Sequence, residues 1–121
     1  MANPSTVGPS GAGTEVLRRA YANNLSNSVV KIIDGVANHI YTVLMIWFHE
    51  RTGTAEALEM YVDIDDGGTT LNMLTNYALA ANETFIWGDK FIMAGTDALN
   101  VKTQDSANVD TYVSFIDQDW T

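Results

Sequence analysis

The stretch HIYTVLMIWFHE, residues 39–50, is the longest apolar run of the chain. In an extended strand, successive side chains point to opposite faces, so this stretch presents two alternating sets. The two sets are Ile40, Thr42, Leu44, Ile46 and Phe48, and Tyr41, Val43, Met45, Trp47 and His49. Both sets are largely apolar, which predicts a strand covered on both faces, either in the centre of a sandwich or at an interface. A buried helix is the alternative, and the β-branched and aromatic content favours the strand.

The segment that follows this stretch has the clearest one-sided pattern. Residues 57–64 (ALEMYVDI) alternate between apolar and polar side chains, which is typical of a half-exposed strand. Residues 65–68 (DDGG) predict a hairpin turn, because glycine tolerates positive φ. Residues 69–79 are ambiguous between a strand with a loop and a short helix, and we favour strand and loop.

The rest of the chain alternates short apolar segments with turn residues. Further strands are predicted over residues 14–22, 28–34, 83–88, 90–93, 98–103 and 107–116. Turns are predicted at Asn23, Asn24, Ser26 and Asn27, at residues 88–89 and at residues 95–97. About eight short strands at regular spacing predict an all-β fold, an antiparallel β-sandwich or a jelly-roll-like fold.

The length of 121 residues fits one domain. Residues 1–14 contain Gly, Pro, Ser, Thr and Ala and no charge, so they cannot bury enough apolar surface to offset the entropy of ordering. We therefore expect a flexible N-terminal arm over residues 1–14 and a single β-sandwich domain over residues 15–121. Such an arm can become ordered against a neighbouring subunit.

Charge is scarce and unevenly placed. Charged residues make up 17% of the chain, against a norm of about 25%, which suggests either a surface covered by other subunits or simply a surface rich in Thr and Asn. Residues 1–51 hold four basic and three acidic residues, whereas residues 52–121 hold two basic and twelve acidic residues. An acidic body repels phosphate and anionic lipid, so we expect no nucleic-acid partner and no membrane partner.

Nothing in the sequence predicts an active site. The absence of cysteine excludes disulfides and thiolate chemistry. Asp63, Asp65 and Asp66 lack the distal Glu of a calcium loop and are typical turn formers. His39 and His49 lie at the two ends of one strand, about 30 Å apart, too far to share a metal. We therefore expect no enzyme, no catalytic residue, no metal and no cofactor.

Aromatic and basic side chains are the candidates for an interface. Trp and Tyr are typical core or interface anchors, although exposed aromatics also form carbohydrate platforms. We expect Trp47, Phe48, Phe85 and Phe115 in the core, and Trp120 docked on this domain or on a neighbour. The candidate interface residues are Trp47, Trp87, Trp120, Tyr61, Arg18 and Arg19.

Residues 79–97 (LAANETFIWGDKFIMAGTD) resemble a recurring segment of small virion structural proteins of tailed bacteriophages. In that segment a strand ends in a turn with Glu-Thr, an aromatic strand and a hairpin follow, and an Ala-Gly-x-Asp turn closes it. The strands predicted at residues 42–48, 57–64 and 109–116 fall in the same order, so the resemblance covers about residues 21–120. Residues 69–77 depart from the pattern.

The resemblance implies a β-sandwich part of the virion that brings no catalytic residues. It favours a capsid decoration (cement) protein that binds the major capsid protein or other virion subunits as a homo-oligomer, with a homotrimer favoured. A neck, tail or fibre component of the same particle is the alternative, and a carbohydrate-binding β-sandwich is the second alternative.

Overall fold

The computed structural model describes residues 5–6, 14–105 and 108–120, and within them every helix or strand is a β-strand. The ten strands are β1 (Ser5–Thr6), β2 (Thr14–Leu25), β3 (Val30–Asp34), β4 (His39–Glu50), β5 (Glu56–Asp63), β6 (Thr70–Leu79), β7 (Thr84–Trp87), β8 (Phe91–Ala94), β9 (Ala98–Thr103) and β10 (Val109–Asp119). All pairings are antiparallel, so the predicted all-β antiparallel fold is confirmed.

The strands form two sheets. One sheet has the order β1-β2-β10-β4-β7, with β8 also paired to β4, and the other has the order β3-β9-β5-β6. β7 pairs with residues 46–49 of β4 and β8 with residues 40–43, so they are two halves of one edge strand, interrupted at residues 88–90. With β1 set aside, the sandwich has eight strand positions in the arrangement of a jelly roll.

The hydrophobic core lies between the two sheets. Its largest fully buried apolar side chains are Phe48, Leu25, Ile46, Leu58, Met60, Leu79, Met93 and Leu99. β5 alternates as predicted, with Leu58, Met60 and Val62 buried. Burying one face of β5 fixes its register, because a slip of one residue would turn every apolar side chain outward.

β4 contains a bulge that the sequence pattern does not reveal. Ser114 on β10 is paired with Met45, and the next residue, Phe115, is paired with Val43, which leaves Leu44 as an extra residue on β4. An extra residue in one strand shifts the alternation of all side chains beyond it.

Because of the bulge, the side chains of β4 that face the core come from both of the predicted alternating sets. The core side chains of β4 are Tyr41, Val43, Ile46 and Phe48. Trp47 therefore lies on the outer face, half-buried, and the prediction of a core position for Trp47 is wrong. Phe48 and Phe115 are buried as predicted, and Phe85 is partly buried against the core.

Three predicted segment boundaries also change. Residues 70–79 form one continuous strand, so the strand that we favoured there is confirmed, whereas the loop predicted with it is absent from these residues. Asn23 and Asn24 belong to β2 rather than to a turn, and Asn24 has a φ of 58° beside a register shift. β10 continues to Asp119 because the carboxylate of Asp117 is held by Arg18 and His39, and these partners permit its burial.

Most of the predicted arm, residues 1–14, lies outside the described residues. Within it, Ser5 and Thr6 pair with Glu15 and Thr14 at the edge of the six-stranded sheet.

Glu50, at the end of β4, is buried and joins two loops. Its carboxylate accepts hydrogen bonds from the backbone N–H groups of Thr52 (3.0 Å), Gly53 (2.8 Å), Thr54 (3.0 Å) and Asn82 (3.2 Å), and from the Thr52 hydroxyl (2.6 Å). Burial raises the pKa of Glu50, and these hydrogen bonds to the charged form outweigh it, so that the pKa falls to about 2.

The Glu50→Gln variant tests this carboxylate. Because the pKa is lowered on folding, ionised Glu50 stabilises the fold above its ordinary pKa of 4.5, and this contribution is lost as the pH falls toward about 2. Denaturant unfolding should show a clearly lower free energy of unfolding for Glu50→Gln at neutral pH, with the gap to the parent closing between pH 4.5 and 2. Glu59→Gln, which removes a partly exposed ion pair, is the control and should cost less than about 1 kcal/mol. A Glu50→Gln gap that is the same at every pH would contradict this account.

Candidate assembly interface

The outer face of the four-stranded sheet is polar and charged. It carries Lys31, Glu59, Tyr61, Asp63, Asn100 and Lys102. Lys102 and Glu59 form an ion pair at 3.3 Å, and Lys31 pairs with Asp66 at 2.9 Å. Apart from Asn100, which is buried, this composition is typical of a surface that faces water.

The outer face of the six-stranded sheet is apolar. Strand register brings its side chains into rows across the sheet, and one row consists of Tyr21, Tyr112, Trp47 and Ile86. A second row consists of Leu17, Ile116, Thr42 and Ile92. Between them lie Arg19, Ser114 and Met45. We call these eleven residues the apolar outer face.

Several members of the apolar outer face are strongly exposed. Leu17 is 71% exposed, Ile92 69%, Tyr21 64% and Ile86 57%. They lie on β2, β7 and β8, at the two sides of the sheet, so the apolar surface extends across its full width. A continuous exposed apolar surface of this kind marks an interaction site rather than a surface that stays in water.

An aromatic pair lies in the middle of this face. The rings of Trp47 and Tyr112 are stacked, with centroids 5.8 Å apart and planes 7° apart. A groove of about 390 Å³ beside the pair is lined by Met45, Trp47, His49, Thr84, Ile86 and Asp110. A second groove, of about 380 Å³, is lined by Leu17, Arg18, Arg19, Leu44, Tyr112 and Ser114. The face is therefore ridged, which suits a partner of matching shape.

The few charged groups on or near this face lie at its margins. The guanidinium of Arg19 on β2 lies 5.2 Å from the centre of the Tyr21 ring. Asp110 and His49 are paired in register at one end of β10 and β4, where His49 Nδ1 lies 2.8 Å from the hydroxyl oxygen of Thr84. The centre of the apolar outer face is consequently free of the charges that would oppose its burial.

Two candidate arginines of β2 have different environments. Arg19 belongs to the apolar outer face, whereas Arg18 donates from Nε to a carboxylate oxygen of Asp117 at 2.9 Å. The other oxygen of Asp117 lies 2.7 Å from His39 Nδ1, so this cluster joins β2, β10 and β4. Arg18 therefore has a structural contact inside the domain.

The remaining candidates are spread over the molecule. Trp87 packs against the core and donates from Nε1 to the backbone oxygen of Asp89 at 3.0 Å. Tyr61 lies on the outer face of the four-stranded sheet. Trp120 is 48% exposed, and its backbone N–H donates to the oxygen of Asn38. Of the six candidates, only Trp47 and Arg19 share the apolar outer face.

Most residues of the apolar outer face are not among the interface candidates predicted from the sequence. Leu17, Tyr21, Ile86, Tyr112 and Ile116 were not singled out as interface candidates. The available signal was that strands at residues 14–22, 39–50 and 109–116 are apolar at several positions on both alternating sets. Three neighbouring strands with this property predict a sheet covered on both sides.

The acidic turn after β5 is held by its own contacts. Asp63 accepts hydrogen bonds from Thr70 and Asn100, and Asp66 pairs with Lys31. Asp65 and Asp66 take the positive φ values of the turn, 56° and 49°. Within the described ranges, no group of three metal-ligating side chains is placed to hold an ion. No helix among the described residues could span a membrane.

Comparison with known proteins relates the chain to others through its fold. No protein-family model and no curated protein sequence matches it. A solved structure of Bacillus endospore appendages, a family of disulfide-linked pili, has 13% identity and a TM-score of 0.54, covering 100% of this chain and 96% of that one. The acid-stable capsid of Helicobacter pylori bacteriophage KHP30 gives 12% identity and a TM-score of 0.52, with 90% and 94% covered.

A third similar structure is the VP2 subviral particle of infectious bursal disease virus. It has 11% identity and a TM-score of 0.53, and the match covers 89% of this chain but 33% of VP2. At these identities the likeness concerns the fold alone. The chain thus has a β-sandwich fold that also occurs in subunits of viral capsids and of a pilus.

Substitution of the two arginines separates a structural role from a surface role. Arg18→Met leaves the mostly buried Asp117 with one partner fewer, and we expect it to lower the free energy of unfolding by about 1–2 kcal/mol. Arg19→Met is the matched control and should change it by less than about 0.5 kcal/mol. Urea unfolding of protein diluted until it is monomeric measures both values, and equal losses would contradict the assignment.

Proposed function

We propose that the chain is a virion structural protein, specifically a capsid decoration (cement) protein that binds the outside of a tailed-phage head and stabilises it. The observation that carries this proposal is the apolar outer face of the six-stranded sheet, with its exposed Leu17, Tyr21, Ile86 and Ile92. Such a surface contributes to stability when another subunit covers it, since burying apolar area is favourable.

The fold supports the same proposal. Similar sandwiches occur in a phage capsid and in a viral particle, and the resemblance of residues 79–97 points to virion proteins independently of the comparisons. Fold does not by itself determine function, so the surface carries the argument. In this proposal the chain works without catalysis, metal or cofactor, and its location is the virion.

The distribution of charge is consistent with a place on the outside of a particle. The four-stranded sheet presents charged residues such as Lys31, Glu59 and Lys102, and the chain has a formal net charge of −9. An acidic subunit is repelled by a packaged genome and is kept soluble by its charge. The proposed partners are the major capsid protein and other copies of the chain, and the resemblance favours a homotrimer.

A neck, tail or fibre component is the second candidate, and the likeness to a pilus subunit favours it. That pilus family is described as disulfide-linked, whereas this chain contains no cysteine. A filament of this chain would have to be held by noncovalent contacts. The carbohydrate-binding alternative has less support, because Trp87 packs against the core and Trp120 follows the end of β10 beside Asn38, several residues along the strand from the Trp47–Tyr112 pair.

Electron cryo-microscopy of purified particles tests the proposal. We expect density for the chain on the outer surface of the head, and we expect particles produced without it to release their DNA at a lower temperature than the parent particles. Adding back the purified chain should restore the release temperature, and an unrelated acidic protein of similar size is the control. Density confined to the neck, tail or fibres would favour the second candidate, and absence from the particles would rule out both.

A further inference from the structure

We infer that the apolar outer face is covered by the same face of a second copy of this chain, related by a two-fold axis parallel to the strands. The inference deepens the proposed structural function and rests on it. The unit that binds the head would be this two-fold pair, in place of the homotrimer that the resemblance favours. An interface between identical patches must be complementary to itself, so each residue needs a suitable partner across the axis. Strand register allows this requirement to be checked position by position.

Apolar residues match under this operation. The axis keeps each residue at its height along the strands and moves it across the sheet, so β2 lies over β7 and β8 of the second copy and β10 lies over β4. Tyr21 then faces Ile86 of the second copy, and Tyr112 faces its Trp47. In the other row Leu17 faces Ile92, which pairs the two most exposed side chains of the face.

Polar and charged residues match as well. Asp110 and His49 are cross-strand neighbours, so each faces the other residue of the second copy. Arg19 shares its row with Met45, and this row ends at the turn between β7 and β8, which carries Asp89. Arg19 therefore faces the turn that contains Asp89 of the second copy. The same turn carries Lys90, and the charge exchange described below tests whether Asp89 makes the contact.

Other arrangements of two copies fit less well. A two-fold axis perpendicular to the strands places β2 over β2. When that axis passes through the middle row of the face, Arg19 faces Arg19 of the second copy. Packing the apolar outer face on the four-stranded sheet of another copy would bury Glu59, Lys102 and Lys31 without new partners, which is costly. Opposite charges in register and apolar groups in register favour the axis parallel to the strands.

Sedimentation equilibrium of the purified 121-residue chain is the first test. We expect a mass of about twice 13.2 kDa. Ile86→Glu should weaken the pair by at least about ten-fold in Kd. Leu71→Glu is the matched control, because Leu71 lies on the other sheet and is exposed to a similar extent, 51% against 57% for Ile86. The Leu71→Glu variant should remain paired. Circular dichroism establishes that both variants are folded.

A charge exchange between two preparations tests the axis itself. Arg19→Asp alone and Asp89→Arg alone each place two like-charge contacts in their own pair, and both should associate more weakly than the parent. Mixed together, they form a pair in which every Arg19–Asp89 position has opposite charges, so the mixture should recover the parent Kd to within about three-fold. Because β2 and the β7–β8 turn lie on opposite sides of the sheet, this recovery requires two copies.

The outcomes separate this inference from the proposed function. A monomer, a trimer, a pair insensitive to Ile86→Glu, or a mixture that fails to recover would overturn the inference. Any of these results with the chain still present on purified particles leaves the proposed function standing. A pair with the predicted behaviour and no chain on the particles supports the inference and removes the function.

Discussion

The bulge at Leu44 in the middle of β4 is the constraint on which the two faces of the molecule depend. β4 is an inner strand of the six-stranded sheet, between β10 and the edge formed by β7 and β8, and it pairs with β10 along its whole length. One extra residue on β4 turns Ile46 and Phe48 into the core and turns Trp47 outward. Without it, the half of β4 beyond Leu44 would point its aromatic and aliphatic side chains to the wrong sides.

Much of the fold was predictable from local pattern. The bounds of β4, the alternation of β5 and the turn after it follow from period-two hydrophobicity and from residues that tolerate positive φ. The length of β10 did not follow, because Asp117 reads as a polar tail residue and is buried only through contacts with Arg18 and His39. Those partners are distant in sequence, and no local rule brings them together.

The candidate site was predicted in part. The unusual apolar content of β4 indicated a strand covered on both sides, and two of the six interface candidates, Trp47 and Arg19, share one face. The expectation of a core position for Trp47 was wrong because both alternating sets of residues 39–50 are apolar. In such a stretch the sequence pattern does not indicate where a bulge lies. The rows that join Leu17, Ile116 and Ile92 depend on sheet order and register, which only the assembled sandwich provides.

The central claim is that the apolar outer face is buried in the assembled state, and thiol labelling of particles measures this most directly. The chain has no cysteine, so a single cysteine at Ile86 or at Leu71 gives an unambiguous signal. In the assembled particle we expect Ile86→Cys to be labelled far more slowly than Leu71→Cys, and we expect the two rates to become equal when the protein is unfolded. Equal rates in the intact particle would contradict the claim.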